Sequence, residues 1–467
     1  MKRRNAQRVA VVALTVTMIA SAMVVSLPLG FEGFASASSA SSWTVYHGDV
    51  EGTGVSTSLK SVDTSKRAWT SPTLNGQIFG EPLVYAGRVY VATENDMVYA
   101  LSATNGRVVW SRHVGSAVPS STLPCGNISP SVGITGTPVI DPSRNEIFLV
   151  ADEVMNGGPV HELVGLSTTS GALELHQRVD PRGADPAALL QRTGLSLDAG
   201  RVVFGLGGNY GDCGSYRGRV VSVKETGSTA SYFTVDANNG DSQGAVWMGG
   251  AAPIVDAKGN IWVSVGNGSV NSSGQAFDDS DSVLELSATL RLKQYFAPST
   301  WAQDNASDRD MSTSPALLAD GQVVAAGKSP TVYLLNESHL GGIGKEEASV
   351  SSVCGNDIDG GSAVVGMTVY LPCLNGPVAI RVTSSPPALT VLWQSSVGGG
   401  PVIVAAGLVW TIGQDGELYG LDAGTGHVRQ QALLGAPVNH FPTPSVGDGL
   451  LVAASASRVV AFHAAAS

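Results

Sequence analysis

The chain has 467 residues, a net charge of −11 and only 14% charged residues, where soluble domains carry about 25%. That acidic balance excludes nucleic acid and an anionic membrane surface as partners, and leaves a small-molecule substrate or an extracellular ligand open. With 57 glycines among many short apolar runs, the composition points to an all-β protein with many tight turns.

The first residues have the layout of an export signal. Lys2, Arg3, Arg4 and Arg8 form a basic head, Val9 to Leu29 an apolar stretch, and Ala35-Ser36-Ala37 a small-residue cleavage site. Residues 1–37 are therefore expected to be an export signal, with an uncleaved anchor as the alternative. The expected location is secreted, periplasmic or at the cell surface, with no membrane span in the mature chain. Cleavage removes four basic residues and one glutamate, which takes the net charge from −11 to −14. Residues 38–65 read as an N-terminal extension.

Four cysteines follow, Cys125, Cys213, Cys354 and Cys373. An even count behind an export signal reads as two disulfides. Three connectivities are possible. Proximity in the fold argued below favours Cys125–Cys213 and Cys354–Cys373.

From Lys66 onward the chain repeats. The unit Gly80 to Gly115 parses into four short strands, "PLVYA", "RVYVAT", "MVYALSA" and "RVVWSRHV". Turns at Ala86-Gly87, Asn95-Asp96 and Asn105-Gly106 separate them. Similar units begin at Gly136, Gly194, Ala251, Thr313, Gly360, Gly399 and Pro442. The last has three strands, whereas "KRAWTSPTL" ahead of the first unit ends like a fourth strand, with Trp69 where Trp110 sits. Pairing that N-terminal strand into the last unit leaves no long exposed sheet edge. The expected fold is an all-β, eight-bladed β-propeller over residues 66–467, closed by an N-terminal strand.

In each unit the first two strands form a hairpin. The residue before strand one and the residue after strand two therefore emerge at the same end. Asp308 and Asp310 precede "SPALL", and Lys328 follows "QVVAAG", so all three are expected on one face of the ring. Trp247, Asn267, Asp212 and Cys213 occupy comparable positions in neighbouring units. Carboxylates and an amide oxygen suit Ca²⁺. A tryptophan face suits a flat ring, and a lysine suits an anion. Glu94, Asp96, Asp152 and Glu153 read as solvated turns. "AGKS" fails as a phosphate loop because Gln322 stands where the first glycine belongs, and "GDSQG" is followed by no helix to expose its serine.

The segment "YALSATNGRVVW" resembles the repeat of pyrroloquinoline-quinone (PQQ) propellers, and Leu421-Asp422 to Thr425-Gly426 repeats it with Gln430 in the Trp position. The run from Asp308-Arg309-Asp310 to Pro315-Ala316-Leu317 is similar to the active-site motif of PQQ-dependent alcohol dehydrogenases. That resemblance implies PQQ and calcium as cofactors and oxidation of an alcohol or sugar. Asp308 would be the base, Trp247 the stacking face, and Lys328 and Asp310 further cofactor contacts. Asn267 and Asp308 would be metal ligands. The family's calcium glutamate falls here on Cys213, so Asp212 would have to substitute, and the family's adjacent cysteine pair is absent. The outer-membrane assembly lipoprotein with PQQ-like repeats implies the alternative, a binding or scaffold propeller that has lost the cofactor. A third reading is a propeller that binds a cell-wall or extracellular glycan.

Overall fold

The computed structural model describes residues 42–464 except 236–239, 273, 356 and 436–438. The expected export signal, residues 1–37, lies outside the described residues. Eight antiparallel sheets, each with a four-stranded core, follow one another along the chain as the blades of a β-propeller. In blades one to seven the strands run outward in sequence order. Blade one, for instance, comprises Leu83–Tyr85, Arg88–Ala92, Met97–Ser102 and Val108–His113.

The burial of each strand follows from where it sits between blades. Inner strands are covered on both faces and read as continuous apolar runs, as in Leu450–Ser455, which is buried at every residue. The outermost strands Val108–His113, Leu173–Arg178 and Val428–Leu433 alternate between exposed and half-buried residues over most of their length. The first hairpin of blade one turns on Ala86 and Gly87, both with positive φ (50° and 76°). The same Ala-Gly pair turns blades three and seven, at Ala199-Gly200 and Ala406-Gly407. Two positive φ values give the primed turn whose twist matches the flanking strands.

The ring closes as the repeats imply. Arg67–Thr70 pairs with Arg458–His463, Trp69 opposite Ala461, and supplies the fourth strand of blade eight. A repeated joint between blades explains the spacing of Gly and Trp in the sequence. The indole of Trp69 lies over Gly106 of blade one and donates to Ala103 O at 2.7 Å. Trp110 of blade one does the same over Gly171, donating to Thr168 O at 2.9 Å. Trp393 of blade six lies over Gly426 and donates to Ala423 O at 3.1 Å. A Cβ at Gly106, Gly171 or Gly426 would lie 2.4, 2.7 or 2.5 Å from the indole, closer than carbon atoms pack. Where blade seven carries Gln430 in place of the tryptophan, Thr64 donates to its side-chain oxygen at 2.7 Å.

Residues 43–56 form a strap across one end of the ring. Ile140, Val255, Val364 and Val404, at or beside the turn ends of the inner strands of four blades, donate backbone N–H groups to Thr44, Val50, Thr53 and Gly54. Val55–Ser56 pairs in parallel with Ile403–Ala405, and Trp43 pairs with Val84. These contacts satisfy inner-edge backbone groups that would otherwise line an open channel. The strap covers the end where the inner hairpins turn. The other end, where the hairpins begin and finish, carries the site.

Candidate functional site

At that end the loops enclose an axial cavity of about 1080 Å³. Blade five contributes the inner hairpin Ala316–Leu317 and Gln322–Ala325. Its two ends meet, as antiparallel pairing requires. The Lys328 backbone N–H donates to Asp310 O at 2.9 Å. The Lys328 ammonium lies 2.5 Å from Asp310 Oδ2 and 2.9 Å from Asp308 Oδ1.

Asn267 completes this knot from blade four. Its backbone N–H donates to Asp310 Oδ1 at 2.6 Å, and its Nδ2 donates to Asp308 Oδ1 at 2.7 Å. The glycines ahead of Asn267 and Lys328 allow the approach. A Cβ on Gly266 would lie 2.5 Å from Asp310 Oδ1, and one on Gly327 would lie 2.0 Å from Asp310 O. The "VGN" and "AGK" sequences are thus explained by the carboxylate and backbone of Asp310 packing against two glycines. The Lys328 ammonium also stands 5.3 Å from the centre of the Trp247 ring. Trp247 contacts Phe441 with ring centres 5.8 Å apart.

Burial pulls the Lys328 ammonium down, but Asp310 and Asp308 outweigh it and hold the pKa above the usual lysine value. Burial raises Asp310, and Lys328 opposes that rise. Two further carboxylates, Asp357 and Asp359, are raised by burial and lowered by the charge of Lys328, with Asp359 reaching about 7. Lys328 therefore contacts two of the carboxylates that line the cavity and acts through longer-range attraction on two more.

Asp212 does not join this cluster. Its Oδ1 accepts the Tyr216 hydroxyl at 2.5 Å. Cys213 is bonded to Cys125, and Cys354 to Cys373. The first disulfide ties the loop ahead of blade two to the loop that carries Asp212. The second ties the segment before blade six to the end of its second strand. Both staple loops that line the cavity. Asn267 presents its Nδ2, not its oxygen, to Asp308, and its Oδ1 is buried without a donor.

A calcium ion needs six to eight oxygen ligands. The two carboxylates nearest to one another already hold an ammonium, the third is tied to a phenol, and the expected glutamate position is a half-cystine. Among the described residues no group of three or more His, Cys, Asp or Glu side chains is arranged to hold a metal ion. This donor set does not suit the calcium ion implied by the sequence resemblance.

Sequence reasoning missed several residues of the cavity. Arg192, Asp359 and Phe441 all line it. Each lies just ahead of the inner strand of its blade, the position that singled out Asp310 and Trp247, and that positional signal would have found them. The reading of Glu94, Asp96, Asp152 and Glu153 as solvated turns is corrected. They are 3%, 0%, 6% and 4% exposed, packed between blades one and two. His161, itself buried, reaches Asp180 at 2.7 Å and Asp152 at 3.4 Å.

Residues 41–262 match a family model of PQQ-type repeats described as outer membrane protein assembly factor BamB. The chain is an eight-bladed β-propeller with similarity to PQQ-type repeats over residues 41–262. No curated protein matches the chain significantly. Among solved structures, it is similar to quinohemoprotein alcohol dehydrogenase ADHIIG from Pseudomonas putida HK5, at 14% identity and a TM-score of 0.68, covering 91% of this chain and 81% of that one. It is similar to a europium-containing methanol dehydrogenase at 14% identity and a TM-score of 0.65, covering 91% and 98%. It is also similar to BamB from Moraxella catarrhalis at 13% identity and a TM-score of 0.58, covering 85% and 99%. Likeness at these identities is likeness of fold. Redox and scaffold proteins share that fold, so the side chains of the cavity carry the functional argument.

Proposed function

We propose that this PQQ-like propeller is an exported, metal-independent binding protein whose axial cavity holds a small organic ligand. The observation that carries this reading is Lys328 locked between Asp308 and Asp310. An ammonium there supplies the positive charge that a calcium site takes from its ion, and occupies Asp308 Oδ1 and Asp310 Oδ2. The cavity volume of about 1080 Å³ is at the upper end of ligand pockets. Its lining of Phe79, Trp247 and Phe441 among amide side chains fits an organic molecule with an apolar face and polar edges.

Export is supported by the layout of residues 1–37 and by the two disulfides, which persist in oxidising compartments. Among the described residues no helix is long and apolar enough to cross a membrane.

The test is an assay of the purified protein with PQQ, Ca²⁺, an artificial electron-accepting dye, and a panel of alcohols and sugars. The binding reading predicts no substrate-dependent dye reduction above that of free PQQ. Turnover that requires both PQQ and Ca²⁺, and is lost in Asp308→Asn, would establish the dehydrogenase instead.

A further inference from the structure

The cavity contains a second cation, and its surroundings are unlike those of Lys328. Arg192 lies just ahead of the inner strand of blade three and is only 7% exposed. Among the described residues no carboxylate lies within ion-pairing distance of it. Among the described residues its one hydrogen bond goes from Nη2 to His440 O at 3.0 Å, a neutral carbonyl. The guanidinium carbon stands 5.9 Å from the ring centre of Phe79 and 5.4 Å from that of Phe441. A Cβ on Gly250 would lie 2.4 Å from Nη1, so the glycine opens the space the guanidinium fills.

A buried, ionised side chain without a counter-ion is expensive to maintain. Glu94 and Asp359 act on Arg192 only through longer-range attraction, and burial brings its pKa down to about 10, still ionised at neutral pH. The two phenyl faces offer weak compensation compared with an oxyanion. The fold thus holds a planar, two-pronged cation at the cavity wall with part of its donor set unused.

We propose that Arg192 is the anion anchor of the axial cavity, and that the ligand is an aromatic monocarboxylate whose carboxylate pairs with this guanidinium. The inference rests on the reading of the cavity as a binding site. The aromatic part of the ligand rests on Phe441 and Trp247, which already contact one another. A single negative charge is favoured over a phosphate dianion or a tricarboxylate because Asp308, Asp357 and Asp359 line the same cavity. Lys328 cannot offset a more highly charged ligand, since its charge is already spent on carboxylates.

The test compares 2-naphthoate with its neutral counterpart 2-naphthylmethanol, titrated into the full protein and followed by tryptophan fluorescence. The proposal predicts saturable binding of naphthoate, roughly tenfold or more tighter than the alcohol. Arg192→Gln should bind the two equally, and Arg192→Lys should keep part of the preference. Should Arg192→Gln not fold, the Nε–H resonance of Arg192 in the wild-type protein provides the second readout. It should shift on addition of naphthoate and not of the alcohol. Equal binding of both compounds by the wild type, or a preference retained in Arg192→Gln, would overturn the proposal while leaving a cavity that binds neutral molecules. Absence of saturable naphthoate binding would overturn it as well, whereas the dye-reduction assay decides the metal-independent reading separately.

Discussion

The ammonium of Lys328 lies 2.5 Å from Oδ2 of Asp310, across the two ends of one β-hairpin. The pair is largely removed from water, with side-chain exposures of 17% and 8%. Removing one partner of such a pair strands the other charge, whereas an exposed pair contributes little. Lys328→Met and Asp310→Asn should each destabilise the fold by about 3 kcal/mol. The double variant should cost less than the sum, and chemical denaturation of the four proteins checks this. Strict additivity would show that the two residues are independent.

The joint between Trp69 and Gly106 closes the ring. Trp69→Ala removes a buried indole and should cost about 3–5 kcal/mol, comparable with Trp110→Ala at the corresponding joint of blade one. Gly106→Ala should cost roughly 2 kcal/mol or more, because the new Cβ meets the indole and φ is 70°. Thermal unfolding of the three variants provides the measurement. A loss below about 1 kcal/mol for Trp69→Ala would mean that the N-terminal strand does not seal the last blade.

The carboxylates between blades one and two set a pH dependence. Asp96 is fully buried with neither oxygen hydrogen-bonded, and burial, helped by Glu153, Asp152 and Glu94, pushes its pKa up to about 9. Burial brings Glu94 and Asp152 to about 7. A carboxyl raised in this way keeps its proton in the folded chain, so folding free energy is lost as pH rises above the unfolded value and through the folded one. Burial opposes the charge on His161, but Asp152 and Asp180 hold its pKa up at about 9, so its contribution is also lost as pH rises through that value. Stability should therefore fall from about pH 4, with Asp96, Glu94 and Asp152 contributing first and His161 joining above about pH 6.5, until about pH 9. Asp96→Asn should flatten that decline and raise the melting temperature at the alkaline end. A melting temperature independent of pH across this window would contradict the burial of Asp96.

The strap makes the opposite end of the channel testable. Trp43 donates from Nε1 to Glu81 Oε1 at 3.0 Å, and the His47 backbone donates to Glu81 Oε2 at 2.9 Å. Burial raises Glu81 well above the usual carboxylate value. Glu81→Ala should strand both donors, cost about 2 kcal/mol, and expose residues 43–56 to limited proteolysis. Unchanged protection of that segment would show that the strap is held by its backbone contacts alone.

The repeat pattern made the architecture legible. Turn pairs, strand lengths and the Gly-to-Trp spacing each reflect a local steric demand, so the blades and their closure could be read from the chain. The convergence of Asp308, Asp310 and Lys328 was legible for the same reason, since hairpin pairing fixes which ends meet. What the three residues do to each other was not, because a lysine beside two aspartates reads equally well as a cofactor contact and as their counter-ion. Arg192 was passed over because "QRTG" carries no motif. Its significance lies in the lack of a carboxylate within ion-pairing distance among the described residues, which only the packing reveals. The burial of Glu94 and Asp96 was hidden likewise, because turn-like "TEND" is covered by the neighbouring blade.

Terbium luminescence sensitised by Trp247 tests most directly whether Lys328 holds the place of a metal ion. The wild-type protein should show no saturable Tb³⁺ signal from the axial site, and excess Ca²⁺ should change nothing. Lys328→Ala frees Asp308 and Asp310 beside Asp357 and Asp359, and should gain a saturable signal that Ca²⁺ displaces. A saturable, Ca²⁺-displaceable signal in the wild type that is lost in Asp310→Asn would contradict the account and restore the axial site to metal chemistry.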